Sequence, residues 1–244
     1  PTLEERVALI AEIADAVQHA HDHHIVHRDL KPSNLMVDVD GRPRVLDFGV
    51  ARITDGDEVG STAVTRTGAV IGTLQYMSPE QVLGDSSAVD GRSDIYALGA
   101  IAYELLCGER PYDVSGMAMH QAARVVVDTD PTALGTRDGE LKGDLETIVA
   151  KALEKEPRRR YASAAQFAED LRRHARDLPI LARPMTRTYR ARKFVRRHRA
   201  LVAATGAVIV ALVLGLAGTA WKAREAHFAA LRAEERMDRA VEVS

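Results

Sequence analysis

The chain has 244 residues, 46% of them apolar and 28% charged, with a formal net charge of −2, the balance of an ordinary globular domain. Its one cysteine, Cys107, excludes an internal disulfide and a cysteine metal site and suits a reducing cytoplasm. The averages conceal a strongly basic block between Arg183 and Arg199 and an uncharged run after it.

In chain order, Leu3, Val7, Ile10, Ala14 and Val17 recur at helical spacing and predict a helix over 2–20. It leads into His27-Arg28-Asp29-Leu30-Lys31-Pro32-Ser33-Asn34. Two apolar runs, Leu35-Met36-Val37 and Arg44-Val45-Leu46, flank the turn dipeptide Asp40-Gly41 and predict a tight hairpin that brings Asn34 and Asp47 together. Asp47-Phe48-Gly49 follows at once. These residues suit phosphoryl transfer from ATP, which needs a carboxylate beside the nucleophile and oxygen ligands that hold Mg²⁺ (or Mn²⁺) against the phosphates. Asp29 supplies the carboxylate, and Asn34 and Asp47 the metal ligands. Lys31 would meet the transferring phosphoryl, whose negative charge is spread over three oxygens, as a cation.

On these motifs the sequence resembles a eukaryotic-type (Hanks-type) protein kinase of the bacterial serine/threonine kind, over roughly residues 1–175. The resemblance implies a mainly helical, kinase-like carboxy-terminal lobe with one small β-hairpin, and it implies ATP and protein Ser/Thr hydroxyls as substrates. Residues 27–34 match the family's catalytic loop, with Lys31-Pro32 in the form typical of serine/threonine kinases. His27 is implied to be a packing residue of that loop, and Phe48 belongs to the metal-binding motif. Gly72-Thr73 and Tyr76-Met77-Ser78-Pro79-Glu80 resemble the end of the activation segment, with Ser78 where Ala is commoner. Thr73 is implied to lie beside Asp29 and help define Ser/Thr substrates. Asp94, in Arg92-Ser93-Asp94-Ile95-Tyr96, is implied to bond the catalytic-loop backbone, and Arg160 to pair with Glu80.

Regulation is implied by Arg28, which in the family pairs with a phosphorylated activation-loop residue. Residues 54–71 read as a mobile polar segment in which Thr65 and Thr67 are favoured over Thr62 as phosphorylation sites. Thr54, Ser61 and their neighbours also fit simple solvated hydroxyls. The histidines His19, His21, His23, His24 and His27 leave a metal site open as an alternative, although the family often carries His before this loop.

Further on, Ile95, Leu98, Ala102, Leu105 and Leu106 predict a helix stopped by Gly108. Leu145, Ile148, Val149, Ala152 and Leu153 mark another, ended before Pro157, and Phe167 with Leu171 a fourth. The family's strand-rich small lobe, with its Gly-rich loop and strand Lys, has no counterpart here, so the chain is expected to be a fragment with little activity of its own.

Past the lobe, assigned to 1–178, the segment 179–199 is expected to be a basic juxtamembrane linker. Leu201 to Trp221 contains no charge and is long enough to cross a bilayer core, so residues 200–221 are expected to form a single transmembrane helix. The basic block on the kinase side places the kinase in the cytoplasm and residues 222–244 outside as the start of a helical segment. That position favours anionic lipid over nucleic acid as the block's partner. Ala203, Ala207, Ala211, Gly215 and Thr219 recur every fourth residue, which suits a homodimer through the span. A pseudokinase scaffold or receptor, and a His-rich membrane protein without enzymatic activity, are the competing readings.

Overall fold

The computed structural model describes residues 1–47, 73–184 and 186–241. Phe48 and Gly49, and with them Thr54, Ser61, Thr62, Thr65, Thr67 and Gly72, lie outside the described residues. Two compact units result, Pro1–Arg190 and Ala191–Ser244.

The first unit is mostly helical. Helix α1, Leu3–Asp22, begins at a reciprocal cap in which Thr2 Oγ1 accepts from Glu5 N and Glu5 Oε2 from Thr2 N, at 3.2 and 2.8 Å. Its buried face carries Val7, Ile10, Ala14 and Val17, the residues whose spacing marks it in the sequence. After the 27–34 loop, strands β1 (Leu35–Val37) and β2 (Pro43–Val45) pair antiparallel, with Val37 opposite Pro43.

The chain turns where Asp40-Gly41 marks it, with Asp38 N donating to Arg42 O and Gly41 N to Asp38 O, both at 3.0 Å. The connection runs from Asp38 to Arg42, and Asp38 Oδ1 organises it by accepting from the amides of Asp40 and Arg42 at 3.0 and 2.9 Å. Gly41 takes φ +80°, a left-handed conformation that glycine adopts without a Cβ clash. Leu46 falls just outside β2, and its amide instead donates to Asn34 O at 2.8 Å.

A short helix α2 (Pro79–Val82) precedes α3 (Gly91–Cys107), the central element of the unit. Asp90 caps the start of α3 by accepting from Arg92 N at 2.7 Å, and Gly108 stops it at φ +77°, as the sequence predicts. Nearly every side chain from Ser93 to Tyr103 is buried, so α3 is covered on all sides. Helices α4 (Met119–Asp128), α5 (Leu134–Arg137), α6 (Asp144–Ala152) and α7 (Ala164–Ala175) complete the core. Against α3, α6 approaches so closely that a Cβ on Gly99 would stand 2.8 Å from Ala152 Cβ. Phe167 and Leu171 of α7 are fully buried, and each such side chain contributes roughly 1.5–3 kcal/mol by leaving water. This core fixes the floor beneath the 27–34 loop.

The compact unit runs to Arg190, past the expected lobe boundary at 178, because residues after α7 fold back onto it. The expected linker is also partly helical, as α8, Arg187–Arg197. In the second unit, helix α9 is unbroken from Arg199 to Val241, so the charged tail continues the apolar stretch without a turn. Its segment Arg199–Thr219 is 21 residues long and apolar enough to cross a membrane by length and composition.

Candidate active site

The 27–34 loop is held from below by one carboxylate. Asp94, in the first turn of α3, is 1% exposed; its Oδ2 accepts from His27 N and its Oδ1 from Arg28 N, both at 2.8 Å. The two bonds let Arg28 stay at φ +66°, a region that costs a non-glycine residue about 1–3 kcal/mol. Two further partners complete the floor. His21 Nε2 lies 2.8 Å from Asp94 Oδ2, and Gln81 Nε2 donates to Arg28 O at 2.6 Å. Neither role was apparent from sequence: His21 stood within an ambiguous histidine cluster, and Gln81 carries no motif of its own. The one available signal was helical phase, which sets His21 on the side of α1 that meets α3.

His27 is buried, and its Nε2 bonds Leu46 O at 2.9 Å while its Nδ1 accepts from Asp29 N at 3.3 Å. The ring thereby ties the loop to the strand that ends before Asp47. Asp47 itself sits at φ +52°, a second left-handed residue at the same site.

On the open side Asp29, Lys31 and Asn34 converge. Lys31 Nζ donates to Asp29 Oδ2 at 2.8 Å, and Asn34 Nδ2 donates to Asp29 O at 2.8 Å. The side chain of Asp29 keeps 39% of its surface in solvent, accessible to an incoming hydroxyl. Because the amide nitrogen of Asn34 is committed to Asp29, its oxygen is the atom left to face a metal. Asp47 adds an exposed carboxylate, and the Leu46 to Asn34 backbone bond holds the two positions side by side. A carboxamide oxygen and a carboxylate are hard donors that suit Mg²⁺. Thr73 lines the same crevice as Asp29, together with Arg28, Leu30 and Gln81.

Glu80 and Arg160 meet as expected. Arg160 Nη1 and Nη2 donate to Glu80 Oε1 and Oε2 at 2.7 and 2.8 Å, a bidentate pair with both residues buried. The rest of the guanidinium is also satisfied, by the carbonyls of Arg92, Glu154 and Lys155. Ser93 Oγ adds a bond to Glu80 at 2.7 Å. Burial raises the Glu80 carboxyl, but the hydrogen bonds and charge of Arg160, with Ser93, outweigh it and leave the group below its ordinary value. Arg160 also stacks over the Tyr96 ring, 5.0 Å from its centre.

A loop carrying a carboxylate, a lysine and an asparagine over a buried aspartate, next to a hairpin that delivers a second aspartate, defines a class of protein. The protein kinase domain model matches residues 2–174, and the chain belongs to that family. Among its relatives, the serine/threonine-protein kinase PknB of Mycobacterium leprae is 43% identical over 169 residues, covering 69% of this chain and 26% of that protein. PknB of Mycobacterium tuberculosis is 43% identical over 171 residues, 70% of this chain and 26% of the relative. Pkn1 of Myxococcus xanthus is 40% identical over 169 residues, 68% and 23% respectively. The chain thus spans about a quarter of the length of the curated relatives it matches.

Proposed function

We propose that the protein carrying this chain is a serine/threonine protein kinase that transfers the γ-phosphoryl group of ATP to Ser or Thr hydroxyls of proteins. The observation that carries the reading is the convergence of Lys31 and Asn34 on Asp29, with Asp94 fixing the loop from beneath. Asp29 accepts the proton of the attacking hydroxyl, and Lys31 stands where negative charge grows on the transferring group. Asn34 and Asp47 would hold Mg²⁺, which when bound neutralises the phosphates. Thr73, bordering the same crevice, orients a Ser or Thr side chain toward Asp29. The names of the bacterial relatives support this substrate class.

The kinase is membrane-anchored in this proposal: 200–221 spans the bilayer once, the lobe is cytoplasmic, the basic residues between the lobe and the span face anionic lipid headgroups, and 222–244 emerges outside. The apolar segment Arg199–Thr219 and the basic residues before it support that arrangement. The small-residue row from Ala203 to Thr219 supports a homodimer through the span, which Gly215→Ile would weaken in a membrane two-hybrid assay. Autophosphorylation on Thr65 and Thr67 would switch the enzyme on by pairing with Arg28, and a Thr65→Ala, Thr67→Ala double variant would activate poorly.

The test is phosphate incorporation from ATP into a Ser/Thr peptide by the full-length protein and its Asp29→Asn variant. A loss on the order of 10²–10⁴-fold is expected. Equal incorporation by the two proteins would refute the assignment.

A further inference from the structure

The chain does not leave the first unit at the end of α7. Asp177, at φ +53°, reverses it in a Schellman-type cap, with Asp177 N donating to His174 O and Leu178 N to Arg173 O at 3.0 and 2.8 Å. Ile180 then inserts into the core, fully buried. The next two amides are captured by one carboxylate: Leu181 N donates to Asp170 Oδ1 at 2.5 Å and Ala182 N to Asp170 Oδ2 at 2.8 Å. Asp170 is itself fully buried and also accepts from Tyr161 OH at 3.0 Å. A fully buried carboxylate with three donors is a costly group to release.

A second set of contacts lies nearer the surface. Tyr189 OH accepts from Ile180 N and donates to Asp144 Oδ2, both at 3.1 Å. Arg183 approaches Asp144 Oδ1 at 3.5 Å and lies over the Tyr189 ring, 5.6 Å from its centre. Asp144 is buried, but Arg183 is exposed and Tyr189 partly so, and an ion pair at that distance with one partner in solvent contributes little.

We propose that residues 178–183, together with Tyr189, form a strap with two latches of unequal strength: an inner one at Asp170, and an outer one at Asp144, Tyr189 and Arg183 that opens first. Opening the outer latch alone releases Arg183 and Tyr189 from Asp144 while Asp170 still grips Leu181 and Ala182. This holds whether or not the lobe catalyses.

Amide hydrogen exchange on the full-length protein in lipid nanodiscs tests the strap. In the wild type, Ile180, Leu181 and Ala182 should exchange at least about 100-fold slower than an unstructured peptide. Tyr189→Phe should speed exchange at Ile180 by roughly tenfold and leave Leu181 and Ala182 protected. Asp170→Asn should expose all three, with amides of α1 and α3 reporting whether the lobe stays folded. Peptide-like exchange at 180–182 in the wild type would overturn the strap. No change at Ile180 in Tyr189→Phe, or equal acceleration at all three amides, would overturn the two-latch arrangement, and neither result depends on the Asp170 variant folding.

Discussion

Beneath the 27–34 loop, Asp94, Glu80 and Arg160 are at most 6% exposed and bond to other parts of the lobe, whereas above it Asp29, Lys31 and Asp47 stand partly in solvent. The two sets use charge for different ends. Below, each ion is fully partnered, so that its removal leaves a buried orphan. Above, the pairing of Lys31 with Asp29 is local and solvated, and the groups remain available to a substrate. Stability and reactivity should therefore separate by layer, and substitutions can break that separation.

Arg160→Met should have the largest effect on stability. It strands the buried Glu80 carboxylate and three carbonyls, a loss of about 3–5 kcal/mol. Thermal unfolding should fall on the order of 10 °C for a lobe of this size. Replacing both partners with apolar residues of similar volume should recover much of the loss, because no orphan then remains.

Asp94→Asn comes next. One oxygen is kept, but the amide group turns a donor toward His27 N or Arg28 N, and losing one charge-assisted bond costs about 1.5–3 kcal/mol. Since the bonds also hold Arg28 at positive φ, phosphate transfer should fall with stability, which circular-dichroism melts and transfer assays on the same preparation would reveal. A variant with full stability and lost transfer would move Asp94 out of the floor and into the chemistry.

A pH titration sharpens the comparison further. The Glu80 carboxyl is depressed in the folded state, so its contribution is fully present above the unfolded value of about 4.3 and is lost as pH falls through the lower folded value. Arg160→Met should remove that acid-limb loss, measured as the slope of unfolding free energy between about pH 4.5 and 3. An unchanged slope would mean that another carboxylate governs the acid limb. The smallest effect belongs to Asp38→Ala: the hairpin loop loses its organising acceptor, yet phosphate transfer should stay within about twofold, because the loop lies at the far end of the hairpin from Asn34 and Asp47.

Much of this architecture is legible from residue order. The α1, α6 and α7 stripes mark the helices because one face of each is buried, α3 shows an apolar repeat although it is covered all round, and residues 27–34 with Asp47 carry the motifs in a fixed order. Glu80 and Arg160 are joined through family resemblance, since nothing local links residues eighty positions apart. Helix α4 escapes because only Ala122 and Val126 of it are buried, too few to print a stripe. The hairpin turn is legible from Asp40-Gly41, whereas the capture of its amides by Asp38 is not. Asp170 escapes for a similar reason: a lone acidic residue in a helix reads as solvated, and its burial depends on a chain reversal after Asp177. Periodicity reports faces; it is silent on which distant backbone a buried carboxylate will capture.

The most direct measurement is a paired one on Asp29→Asn in the full-length protein: single-turnover phosphate transfer from ATP beside the thermal midpoint. The account predicts transfer lowered on the order of 10²–10⁴-fold with the midpoint within about 2 °C of wild type. Transfer that survives the substitution, or a loss accompanied by a collapse of the midpoint, would contradict a reactive edge resting on an independent buried floor.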